Sequence, residues 1–158
     1  MEFDLADSSI TEALGRALAR ALPAAVRADG AVMYLQGDLG AGKTTCVRSL
    51  LRALGIAGLV RSPTYTLVET YHLPGFVCVH VDLYRLQELS EVDELGLRDL
   101  VGPGCLLLVE WPGRGGPALP PADLELQLGY VGDARHARLI ARTPRGAMWL
   151  DNLDTTLA

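Results

Sequence analysis

Eight consecutive residues, Gly37-Asp-Leu-Gly-Ala-Gly-Lys-Thr44, fit the pattern G-x-x-x-x-G-K-[ST] at every position. The glycines of such a loop let backbone N–H groups turn inward onto phosphate oxygens, and the helix that follows presents its positive end. Lysine then reaches the β- and γ-phosphates, and the Ser/Thr hydroxyl ligates Mg²⁺. Context decides whether the pattern is meaningful. Residues 31–35, Ala-Val-Met-Tyr-Leu, read as a short apolar strand running straight into the loop. After Lys43, Val47, Leu50, Leu51 and Leu54 form one helical stripe that Gly55 stops. Strand, glycine loop and helix in this order predict an α/β P-loop NTPase fold. Gly37, Asp38, Leu39, Gly40, Ala41, Gly42, Lys43, Thr44 and the adjoining Thr45 are the candidate contacts to Mg-ATP.

The rest of the chain predicts one domain over residues 1–158, a central mixed β-sheet flanked by helices. Ser9-x-x-Glu12 reads as a capping box opening an N-terminal helical region over 8–28, with Pro23 kinking or ending the helix. Polar, proline-pinned 61–65 is a loop, and 66–71 and 76–82 are strands of a hairpin around Leu73-Pro-Gly75. Residues 88–100 read as an acidic helix and 105–109 as a buried strand ending in Glu110-Trp111. A Gly/Pro-rich loop, 112–121, precedes strands over 124–130 and 136–142. The tail, 143–158, has Trp149 as its one anchor.

A phosphate-binding loop needs a carboxylate for its metal. Glu110 ends an apolar strand, where such proteins place that acid, and Asp82 is a second candidate. Alternation in 76–82 puts Cys78, His80 and Asp82 on one face, with Tyr84 joining if the strand continues. Lys43, Asp82 and Glu110 are the candidate catalytic residues; Thr44, Glu110 and Asp82 are the candidate metal ligands. Ser62-Pro63-Thr64 stands where a loop can sense a γ-phosphate. Arg61 and Arg85 are candidates for stabilising transferred charge.

Composition narrows the function classes. The net charge is −5, and no basic cluster is expected anywhere, which disfavours stand-alone nucleic-acid binding. The chain's 14 basic residues include one lysine, Lys43 itself. Cys46, Cys78 and Cys105 are far apart and apolar in context, so they read as buried hydrophobes. No charge-free run is long and unbroken enough to span a bilayer, and Met1-Glu-Phe-Asp4 carries neither basic leader nor apolar signal core, so a cytoplasmic location is expected.

Four ordered motifs, Gly37 to Thr45, Ser62-Pro-Thr-Tyr-Thr-Leu-Val-Glu69, His80-Val-Asp-Leu-Tyr-Arg85 and Val109-Glu-Trp-Pro112, resemble those of the TsaE (YjeE) family, over about residues 8–142. That resemblance implies an ATPase of tRNA threonylcarbamoyladenosine synthesis, working with TsaD and TsaB, which transfer a threonylcarbamoyl group made by TsaC. Contact with tRNA would be indirect, through those partners. It implies Lys43 on the phosphates, Thr44 with Glu110 around Mg²⁺ and Asp82 as a metal-shell or water-positioning acid. It further implies Thr64 in a switch-like loop and Trp111 near the nucleotide. Gly113 departs from the family pattern, in which an acidic residue often follows Pro112.

Three other readings compete. A GTPase would use Asp93-x-x-Gly96 or Asp99-x-x-Gly102, but both fall in or beside a predicted helix, and no lysine is left for a guanine-reading motif. A small-molecule kinase would add an Arg-rich lid, whereas 112–121 holds Arg114 alone. A nucleotide-dependent docking module would bind ATP without needing hydrolysis.

Overall fold

The computed structural model describes residues 1–132 and 134–154, so the last four residues of the sequence-defined tail lie outside the described residues. One seven-stranded mixed sheet carries the domain, and its strands run in the order β1-β7-β6-β2-β5-β4-β3. The strands are β1 (Glu2–Leu5), β2 (Ala31–Gly37), β3 (Val68–Leu73), β4 (Phe76–Asp82), β5 (Cys105–Glu110), β6 (Leu124–Val131) and β7 (Ala134–Ala141). The inner four, β6-β2-β5-β4, are parallel; the hairpin partner β3 closes one side, and β7 with β1 closes the other, all antiparallel.

Both faces of the inner strands are covered, which explains why β5 reads as an unbroken apolar run. Leu106 and Leu108 join the core under α1 (Ser8–Ala21) and α3 (Lys43–Ala53). Leu107 and Val109 join Val32, Val79 and Val81 in a second core on the opposite face. The alternation in β4 is as the sequence implies, with Cys78 in the first core and Val79 and Val81 in the second.

Several boundaries shift for local reasons. Asp7, not Ser9, caps α1: its carboxylate accepts from the Ser9 and Ile10 amides, and the Ser9 hydroxyl donates to it as well. A charged acceptor outcompetes the hydroxyl for the same orphan donors. Glu12 pairs instead with Arg16 at 3.8 Å. Pro23 ends α1, and the rest of the expected helical region is a separate α2 (Ala24–Asp29). The acidic stretch is two short helices, α4 (Leu89–Glu94) and α5 (Leu97–Leu100), divided at Gly96 with φ +60°. Asp93 and Asp99 thus sit on helices. The 112–121 loop winds into two short 3₁₀ turns.

Two elements have no counterpart in the sequence reading. β1 is too short to show a period, and it is held by pairing with β7. α6 (Pro144–Asp151) fixes the tail through the anchor the sequence singled out. Trp149 is fully buried, and its indole Nε1 donates to the Leu18 carbonyl at 2.9 Å near the end of α1. Among the described residues, no helix is long and apolar enough to cross a membrane.

Candidate functional site

Three strand ends converge because the inner strands are parallel. In register, Leu35 of β2 lies beside Glu110 of β5, and Asp82 of β4 lies on its other side. The loop Gly37–Thr44 therefore leaves the sheet directly above two carboxylates, at the carboxyl edge where open α/β sheets place ligands. Gly37 has φ +142°, and a Cβ there would meet the Leu128 carbonyl oxygen at 2.3 Å, so only glycine lets β2 turn into the loop.

The loop is braced from outside by the β6–β7 hairpin; the sequence predicts the two strands, but not their contacts with the loop. Tyr130 donates its hydroxyl proton to the Leu39 carbonyl at 3.1 Å, and Arg135 donates to the Gly40 carbonyl at 3.3 Å. No periodic or motif signal links residues so far apart in sequence.

Lys43 opens α3 and is only 4% exposed. Its ammonium donates to the carbonyls of Gly37 at 2.6 Å and Asp38 at 2.8 Å, and it lies 4.0 Å from the centroid of the Trp111 ring. Burial lowers its pKa from 10.5, opposed by the nearby carboxylates of Glu110, Asp82 and Asp38. Thr44 donates its hydroxyl proton between the two Glu110 carboxylate oxygens, at 2.9 and 3.0 Å. His80, wholly buried, sets Nε2 2.8 Å from Glu110 Oε1. The direction of that hydrogen bond follows the imidazole tautomer, and the buried Nδ1 has no partner among the described residues.

Asp82 is held differently. Its carboxylate accepts from Ser62 Oγ at 3.1 Å and from the Tyr84 amide at 2.9 Å, and Ser62 is bonded to Thr64 Oγ1 at 2.7 Å. The Ser62-Pro63-Thr64 loop is thereby tied to the second acid. β4 ends at Asp82, so Tyr84 does not extend the strand; its ring packs on Trp111 with centroids 5.0 Å apart. Trp111 has φ +59°, a left-handed conformation rare for a bulky residue, which throws its ring from the end of β5 over Lys43.

A cavity of about 380 Å³ gathers Leu39, Gly40, Lys43, Thr44, Thr64, Asp82, Arg85, Glu110 and Trp111. A second of about 320 Å³, which also borders Trp111, takes in Gly37, Asp38 and Arg114. Thr45 and Arg61 line a neighbouring cleft of about 690 Å³ instead. Four arginines scattered through the sequence, Arg16, Arg48, Arg52 and Arg61, converge on that cleft. The expected absence of a basic cluster is therefore corrected: helix packing assembles one that linear inspection does not show.

Among the described residues, no three His, Cys, Asp or Glu side chains are grouped to hold a metal unaided. Mg²⁺ does not require such a group, since it binds through one or two carboxylates, substrate phosphates and water. The Thr44 hydroxyl against the buried Glu110 carboxylate is an oxygen donor set of that kind, and His80 holds it in orientation.

The family model described as "Threonylcarbamoyl adenosine biosynthesis protein TsaE" matches residues 5–139. The protein named "tRNA threonylcarbamoyladenosine biosynthesis protein TsaE" of Haemophilus influenzae is 46% identical over 115 residues, 73% of each chain. That of Synechocystis is 43% identical over 118 residues, covering 72% of this chain and 71% of the relative. The crystal structure of YdiB from Bacillus subtilis superposes with a TM-score of 0.75 at 28% identity, over 96% of this chain and 91% of that one.

Proposed function

This chain belongs to the TsaE family, and from that premise we propose that it is a cytoplasmic ATPase that binds and hydrolyses Mg-ATP. In this reading it supports threonylcarbamoyl transfer to the adenosine beside the anticodon of tRNAs, together with TsaD and TsaB. The family names supply the pathway. The observation that carries the enzymatic part is the chain His80–Glu110–Thr44 at the foot of the loop, with Lys43 alongside. A buried carboxylate costs several kcal/mol of lost hydration, and a site that retains one uses its charge.

Each residue then has a task. Lys43 exchanges the Gly37 and Asp38 carbonyls for phosphate oxygens, a substitution its flexible stem permits. Thr44 and Glu110 hold the metal side of the nucleotide, and His80 fixes which face Glu110 presents. Asp82 orients water for attack and reports on the site through Ser62 and Thr64. Mg²⁺, when bound, neutralises charge on the phosphates and orients them. Trp111 closes the loop side of the cavity.

The test is ATP turnover by the isolated protein and with TsaD–TsaB added. We expect weak turnover alone, strong stimulation by the partners, and loss of both in Lys43→Ala and Thr44→Ala. Absence of stimulation, with phosphate passed steadily to a small-molecule acceptor, would replace this reading with a kinase. Undiminished multi-turnover tRNA modification by the hydrolysis-dead variants would reduce the protein to a docking module.

A further inference from the structure

The arginine cleft is lined by residues of α1, α3 and the segment that includes residues 59–62. Its lining holds four guanidiniums, Arg16, Arg48, Arg52 and Arg61, against one carboxylate, Glu12, in a chain whose net charge is −5. Glu12 is paired with Arg16. Arg48 Nε donates to the Val60 carbonyl at 3.3 Å and so ties α3 to the opposite wall. Arg16, Arg52 and Arg61 are exposed. Like charges gathered in a concavity focus a positive field, and they repel one another until an anion enters.

The shape and lining say what kind of anion. Among the described residues no aromatic ring lines the cleft, so these walls offer no stacking platform to unpaired bases. The arginines border a concavity between two helices and a loop, whereas duplex phosphates lie on a convex surface that meets a stripe or a ridge. The wall also carries apolar surface: Leu59 is 68% exposed at the rim, and Val60 lies beneath it. Arginine beside exposed aliphatic surface is the composition of protein interfaces.

We propose that this cleft is the docking site for an acidic, partly apolar segment of a protein partner. Carboxylates of the segment meet the guanidiniums in forked pairs, and one aliphatic side chain covers Leu59. The inference rests on the reading that the chain works with partner proteins, and it names the surface and the chemistry of that contact. A segment seated there touches α3, the helix that begins at Lys43, and the wall whose Ser62 is bonded to Asp82.

The test uses the full chain, Arg16→Glu/Arg52→Glu, and Arg16→Lys/Arg52→Lys as the charge-retaining control. Binding is measured to TsaD–TsaB, to unmodified tRNA, and to a glutamate- and leucine-rich peptide as a generic acidic segment, with fluorescent ATP affinity read in parallel. The charge reversal is expected to weaken TsaD–TsaB and peptide binding roughly tenfold or more and flatten their salt dependence. ATP affinity should be unchanged, and the lysine pair should recover most of the binding. Unchanged partner and peptide binding overturns the proposal, and selective loss of tRNA binding replaces it with a phosphate-backbone site. Should the wild type ignore TsaD–TsaB yet bind the peptide through these arginines, the cleft stands and the proposed partners fall; failure with both overturns the cleft too.

Discussion

Glu110→Gln separates what the buried acid does for the fold from what it does for chemistry. Glu110 is 1% exposed, and its carboxylate has two partners, the Thr44 hydroxyl and His80 Nε2. Glutamine keeps the length and one acceptor oxygen. Thr44 can donate to that oxygen, and the imidazole can change tautomer so that Nε2 accepts from the new amide; both contacts survive, and the ring proton moves to Nδ1, which has no partner among the described residues in either tautomer. The variant also removes a buried charge, whose desolvation opposes folding. Without nucleotide, the net change should therefore stay within about 1 kcal/mol of wild type, or about 2–4 °C in melting temperature for a domain of this size. The proposed Mg²⁺-dependent role of Glu110 has no such compensation, since a neutral amide is a poor Mg²⁺ ligand. A loss of about 3 kcal/mol of charge stabilisation corresponds to a fall of roughly a hundredfold in kcat/KM for ATP. Thermal melts in nucleotide-free buffer and steady-state turnover with Mg²⁺ give the two numbers. A melting point lowered by about 10 °C or more would show that the carboxylate is a structural partner of His80. Turnover within about threefold of wild type would remove it from the catalytic site.

Three further outcomes follow from individual contacts. Trp149→Ala should cost about 3–5 kcal/mol, or about 6–20 °C in melting temperature, because the indole is fully buried against α1. Trp149→Phe should fall between Ala and wild type, losing mainly the bond to Leu18, and a wild-type melt would show that this bond contributes nothing. Because burial lowers the Lys43 pKa, the folded protein releases this proton before the unfolded chain does. As pH rises through the lowered value toward 10.5, this group's contribution to stability grows while ATP affinity falls; an affinity flat up to 10.5 would refute the assignment. Asp7 is shifted the other way, lowered from 3.8 by the Ser9 hydroxyl and then the Ile10 and Ser9 amides. Its cap is fully effective above 3.8 and is lost as pH falls through the folded value, so the melting difference between wild type and Asp7→Ala should close in acid. A difference that persists there would mean that the side chain caps α1 by something other than its charge.

Local chemistry made much of the site legible in advance. Glycine spacing, an apolar strand before it and a helical stripe after it are short-range patterns, and they located the Gly37–Thr44 loop with its flanking β2 and α3. A single acid closing an apolar run pointed to Glu110, and period-two alternation put His80 and Asp82 on a shared face. These features depend on neighbours within a turn or a strand, so one chain suffices to read them. What tertiary structure decided depends on distance through space. The register of β4 against β5 sets Asp82 beside Glu110. β1 exists because β7 offers it an edge, and Trp111 reaches Lys43 only through a left-handed turn at the end of β5. The hairpin residues Tyr130 and Arg135 brace a loop about ninety residues earlier. The arginines show the division most plainly. Along the chain they look dispersed, and their charge is outweighed by acids; folding places four of them around one cleft, because electrostatic fields sum over positions in space and sequence separation does not enter.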